Sequence, residues 1–81
     1  MITIITDNNH RAMLTDEIIR EHPAGGFRYV GNFQVLYRRR NGQLANTESM
    51  EIIGGGATVG AAYETMITNA MSRLDGEPVR D

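Results

Sequence analysis

Between Phe27 and Tyr37 the large apolar residues Phe27, Tyr29, Phe33, Val35 and Tyr37 all fall on odd positions, with mostly polar residues between them. A period of two puts that set on one face of a pleated strand. Gly31-Asn32 interrupts the run and predicts a bulge or tight turn. Asn41-Gly42 is the strongest hairpin signal, because both residues accept the positive φ of a type I′ turn. Two-residue pairing about it sets Arg40 opposite Gln43, Tyr37 opposite Asn46, Val35 opposite Glu48 and Phe33 opposite Met50. One face then carries Phe33, Val35, Tyr37, Leu44, Met50 and Ile52. A G1 bulge in the turn would move this register by one residue.

Farther on the period changes. Val59, Ala62, Tyr63, Met66, Ile67, Ala70, Met71 and Leu74 recur at helical spacing and predict a long amphipathic helix, apolar over about half its circumference. Arg73 suits its negative end and Gly76 supplies its stop. Met66, Ile67 and Ala70 are expected to pack on Phe33, Val35 and Leu44. At the other terminus, Ile2–Thr6 is a β-branched run closed by Asp7-Asn8-Asn9, which reads as a strand. Residues 10–22 read as a helix, capped by Asn9 or by Thr15 and ended by Pro23 and Gly25-Gly26. Leu14 and Ile19 stand where a hydrophobic staple would put them, and Asp16 and Glu17 fill a first turn.

The expected fold is therefore α+β: a small antiparallel sheet in the order β-α-β-β-α, with the long C-terminal helix packed on one face. Residues 1–76 form a single domain and residues 77–81 a frayed tail.

Composition narrows the chemistry. The 81 residues are 41% apolar and 22% charged, enough for one modest core and too apolar for a disordered chain. There is no cysteine, which removes disulfides, thiolate metal sites and cysteine nucleophiles. No apolar run reaches membrane-span length and no signal peptide is visible, so the expectation is a cytoplasmic protein without a membrane partner. All eight basic residues are arginine, each planar, forked and permanently charged. The net charge of −2 leaves no global attraction to nucleic acid.

Three groups of residues carry what chemistry there is. Gly54, Gly55, Gly56 and Thr58 lie between a strand and a helix, where phosphate-binding loops also lie, but the dinucleotide and Walker patterns are both missing. The plainer reading is a connection whose small residues permit close packing. Arg38, Arg39 and Arg40 flank the hairpin tip and, with Arg28, Tyr29 and Tyr37, form a candidate patch for an acidic protein or a nucleic acid; otherwise they protect a sheet edge. Asp16, Glu17 and Glu21 are the next exposed cluster, on the first helix. Glu48 falls on the apolar face as a carboxylate without a second group to work with. His10 and His22, twelve apart, have no metal-ligand spacing. No catalytic set, metal site or cofactor site emerges.

The expectation is then a small non-enzymatic protein-binding module. Its most specific form is a phage or mobile-element accessory protein that inhibits a host defence complex by occupying its surface, as anti-CRISPR proteins act. The alternative is a nucleic-acid-binding or antitoxin-like regulatory domain that uses the arginine hairpin. Homodimerisation through Ile2–Thr6 or the 44–52 strand is also expected, since so short a chain buries little surface by itself.

Overall fold

A computed structural model describes residues 2–79 and, of residues 45–47, the backbone alone. Four strands, β1 (Thr3–Ile5), β2 (Arg11–Glu21), β3 (Phe27–Arg38) and β4 (Leu44–Gly56), precede one helix, α1 (Val59–Asp75). The strands form one antiparallel sheet in the order β1-β2-β3-β4, and α1 packs mainly on β4 and β3. The domain is α+β with its C-terminal helix on the sheet, but the order is β-β-β-β-α and not β-α-β-β-α.

The segment read as a first helix is β2. Its alternation is broken by one extra residue: Leu14 pairs with Phe33 but Asp16 with Asn32, which leaves Thr15 as a bulge. Thr15 Oγ1 donates to the Asn32 carbonyl at 3.1 Å, holding the irregularity in place. Ala12 and Leu14 before the bulge point into the core, while Ile18 after it points to the other face. A strand with a parity break looks aperiodic at a spacing of two, and its apolar residues at 14, 18 and 19 imitate a helical stripe.

All three hairpins close in the same way. Thr6 N–H donates to the His10 carbonyl and Asn9 N–H to the Thr6 carbonyl; His22 with Gly25 and Gly26, and Arg39 with Gly42 and Gln43, repeat the pattern. The fourth residue of each turn has positive φ: Asn9 at 62°, Gly25 at 99° and Gly42 at 87°. This is the three-residue loop with a G1 bulge, so Asn41-Gly42 does not form a two-residue type I′ turn. The expected register holds at Phe33–Met50 and Val35–Glu48 and slips only between Leu36 and Arg38, where Arg38 meets Leu44. Gly31 is not a turn either; β3 runs through it without a break.

The core lies between α1 and the sheet. Ala62, Met66, Ala70 and Leu74, four apart, are the buried stripe of the helix, with Tyr63 and Ile67 half-buried beside it. Val59 and Met71 are exposed, so the stripe is narrower than the sequence pattern suggests, and Leu44 lies outside the core. Thr58 caps α1 by accepting the Ala61 N–H at 3.1 Å. Close approach of helix and sheet depends on glycine: a Cβ on Gly31 would lie 2.5 Å from Met66 Sδ, and one on Gly56 2.5 Å from the Ala62 nitrogen.

Candidate functional site

Alternation along β3 sends Tyr29, Gly31, Phe33, Val35 and Tyr37, all buried, towards α1, and Arg28, Val30, Asn32, Gln34, Leu36 and Arg38 to the other face. The pairing carries this division across the sheet. Ile18, Val30 and Ile53 stand in one row across β2, β3 and β4. Asp16, Asn32 and Glu51 form the row on one side of it, and Arg20, Arg28 and Gly55 the row on the other. Nearer the β3–β4 turn, Arg11 pairs with Leu36. No described element covers this face, and Ile18 and Ile53 remain 45% and 46% exposed. Arg11, Arg20, Arg28 and Arg38 outnumber Asp16 and Glu51 there, so the open face is positive on a chain whose net charge is −2.

The residues picked from sequence disperse over this frame. Arg38 is half-buried: its N–H donates to His10 Nδ1 at 2.8 Å and its Nε to the Asn8 carbonyl at 3.0 Å. Arg39 begins the turn and Arg40 is exposed within it. Arg28 stands ten residues from Arg38 along one strand, about 33 Å, and belongs to the far end of the open face rather than to the tip. Tyr29 and Tyr37 are buried, 5% and 6% exposed, so neither offers a surface ring. Asp16 is on the open face, whereas Glu17 and Glu21 point to the helix side of β2 and make no single cluster with it. Glu48 keeps its place opposite Val35 but lies exposed on the edge strand β4.

The glycine run is strand and not loop. Gly54, Gly55 and Gly56 pair with Tyr29, Arg28 and Phe27, and the space over Gly54 is filled by the backbone of Ala62 and Met66. Thr58 spends its hydroxyl on the helix cap. Close packing against α1 accounts for Gly54 and Gly56. A shallow hollow of about 370 Å³ lies beside the start of β1, lined by Ile2, Leu14, Thr15, Asp16 and Glu17. Among the described residues no three His, Asp or Glu side chains are grouped to hold a metal, and no helix is long and apolar enough to cross a membrane.

Sequence reasoning missed the role of His10. Expected as a polar helix residue, it is fully buried in the bend after β1, edge-on to Tyr37 at 5.3 Å. Its Nδ1 accepts the Arg38 N–H, so Nε2 carries the proton and donates to the Glu77 carbonyl at 3.0 Å. One ring thus ties the first hairpin, β3 and the residues after α1 together. Asn8 Nδ2 donates to the same carbonyl, which anchors the first residue of the expected tail; Arg80 and Asp81 lie outside the described residues.

The other end of the sheet holds a second cluster. Tyr29 and Tyr63 meet edge to face at 5.1 Å, and the Tyr63 hydroxyl is buried without a hydrogen-bond partner among the described residues. Burial, then the adjacent Glu17 carboxylate, which accepts a hydrogen bond from the phenol, pushes Tyr29 up to about 12. A folded pKa above the unfolded one means that the native state holds this proton more tightly. The contribution is complete below about pH 10 and is lost as pH rises through about 12. Urea melts across that window should show stability falling with pH, and Tyr29→Phe should flatten the fall. An equally steep decline in the variant would assign it to other groups.

No protein-family model, curated protein or solved structure matches the chain.

Proposed function

We propose that this chain is a small non-enzymatic protein-binding module that acts by covering part of an acidic protein surface with the open face of its sheet. The observation that carries the reading is the segregation of Arg11, Arg20, Arg28 and Arg38 onto the face that α1 leaves bare, around the apolar row Ile18, Val30 and Ile53. Guanidinium forks beside apolar side chains are what acidic protein surfaces pair with, and arginine and large apolar residues are common anchors of such contacts. A nucleic acid is the weaker partner. The same face presents no aromatic ring for bases to stack on, because Tyr29, Phe33 and Tyr37 all point to the helix. Within this class, the more specific reading remains a phage or mobile-element accessory protein that blocks a host defence complex, and it rests on the small size and mildly acidic composition alone.

Tagged chain should capture one stoichiometric protein complex from extract of its native host, unchanged by nuclease, and should lower the activity of that complex when mixed with it. Recovery of nucleic acid alone, with affinity falling steeply as salt is raised, would replace this reading by phosphate binding.

A further inference from the structure

The second half of β2 has a neighbour on one side only. β1 pairs with Arg11–Met13, whereas β3 pairs with β2 as far as Glu21, so Thr15–Glu21 is an open edge among the described residues. A run of this length presents backbone N–H and C=O groups ready to pair with another strand. The other edges are shorter or bound to another element. β1 is three residues long, and on β4 the Ile53 carbonyl already accepts from Asn69 Nδ2 of α1 at 2.9 Å. On the β2 edge the Glu17 N–H is held by the Asp16 side chain at 2.9 Å, a bond that pairing with a second strand would have to replace. Ile18 and Ile19, on opposite faces of the open edge, are 45% and 48% exposed. Beside them Arg20 and Arg28 are direct cross-strand neighbours, a like-charge pairing that destabilises a sheet when nothing neutralises it.

We propose that the Thr15–Glu21 edge pairs with the same edge of a second copy, antiparallel about a two-fold axis at Ile18, to make one continuous eight-stranded sheet. In this register Asp16 of each copy lies opposite Arg20 of the other, Ile18 opposite Ile18, Glu17 opposite Ile19 and Thr15 opposite Glu21. Neighbouring registers are worse. Centring on Ile19 sets Glu17 against Glu21, centring between Ile18 and Ile19 pairs Glu17 with Arg20 but sets Asp16 against Glu21, and centring on Glu17 forms no ion pair. The charge pattern therefore selects both the partner and the alignment. Asp16 of the second copy beside Arg20 also relieves its repulsion from Arg28. The two Ile18 side chains join the rows of Val30 and Ile53 into one apolar band across six strands. Both open faces stay on the same side of the larger sheet, uncovered, so the dimer does not depend on the binding role proposed above.

Sedimentation equilibrium of the 81-residue chain from low to high micromolar concentration should show the mass rising from 9.0 kDa towards twice that value. D16R alone and R20D alone should each weaken association at least tenfold, and D16R/R20D together should restore it, because the two ion pairs re-form with reversed polarity. Hydrogen exchange should show the Thr15–Glu21 amides gaining protection at high concentration. A mass of 9.0 kDa throughout, a double variant no tighter than the singles, or concentration-dependent protection confined to β4 would each overturn the proposal.

Discussion

Gly54→Ala should unfold the chain or lower its melting temperature by more than about 12 °C, as befits a loss of about 3 kcal/mol in a domain of this size. The added methyl has nowhere to go: it would collide with the Met66 backbone nitrogen and lie 2.5 Å from the Ala62 carbonyl oxygen. Flexible side chains can turn aside, but helix backbone moves only as a unit. Relief therefore means lifting α1 from β4 and opening the contacts of Met66, Ala70 and Leu74, which are fully buried. Against a total stability that begins at about 5 kcal/mol for small domains, the loss is most of what there is. Gly55→Ala is the control. Its nearest neighbour would be the Phe27 carbonyl at 3.9 Å, and the sheet should accept it with little change. Circular-dichroism melts decide the matter, and a Gly54→Ala protein melting within about 3 °C of the parent would refute this packing.

His10→Ala should cost about 2–4 kcal/mol, through lost packing and through a part-buried Arg38 N–H left without its acceptor. The ring is completely buried and links parts of the chain that are 28 and 67 residues away. Hydrogen exchange should show the Arg38 amide opening in the variant before the middle of β3 does. A melt shifted by less than about 3 °C, with the Arg38 amide still protected, would show that the ring only fills space.

How much of this was legible in the sequence depended on whether a residue's role was local. The long helix and the odd-numbered face of β3 follow from simple periodicity, and the β3–β4 register survives wherever the turn does not disturb it. The first helix failed because the bulge at Thr15 breaks parity, and a parity break cannot be told from a change of period by spacing alone. Asp7-Asn8-Asn9 reads as turn formers after a strand, whereas Pro23 and Gly25-Gly26 read as the end of a helix. Read beside Arg40-Asn41-Gly42, they show one shared device, a left-handed Asn or Gly as fourth residue, that marks three hairpins and a meander. Close packing is the plainer reading of the glycine run from sequence, but that the run is strand, and that α1 is what lies on it, follows only from the structure. The spread of the arginines was hidden for a different reason. Arg38–Arg40 are adjacent in sequence, but the charged surface is built by alternation and register, which put Arg28 on the face of Arg38 along β3 and bring Arg11 and Arg20 to it from β2. His10 left no sequence signal beyond being a histidine, since its partners are backbone groups.

The central claim is that the face α1 leaves bare is the one that binds. Its most direct test measures capture of the same partner complex by two charge-reversed proteins, one altered on each layer. Arg11→Glu with Arg28→Glu changes the open face while leaving Asp16 and Arg20 in place; Arg73→Glu changes the exposed last turn of α1. The open-face variant should fold as the parent does and lose affinity by about a hundredfold or more, since each reversal sets like charge against like across the contact. The helix variant should bind as the parent does. Undiminished capture by the open-face variant, or a loss confined to Arg73→Glu, would contradict the claim and move the binding surface to the helical layer.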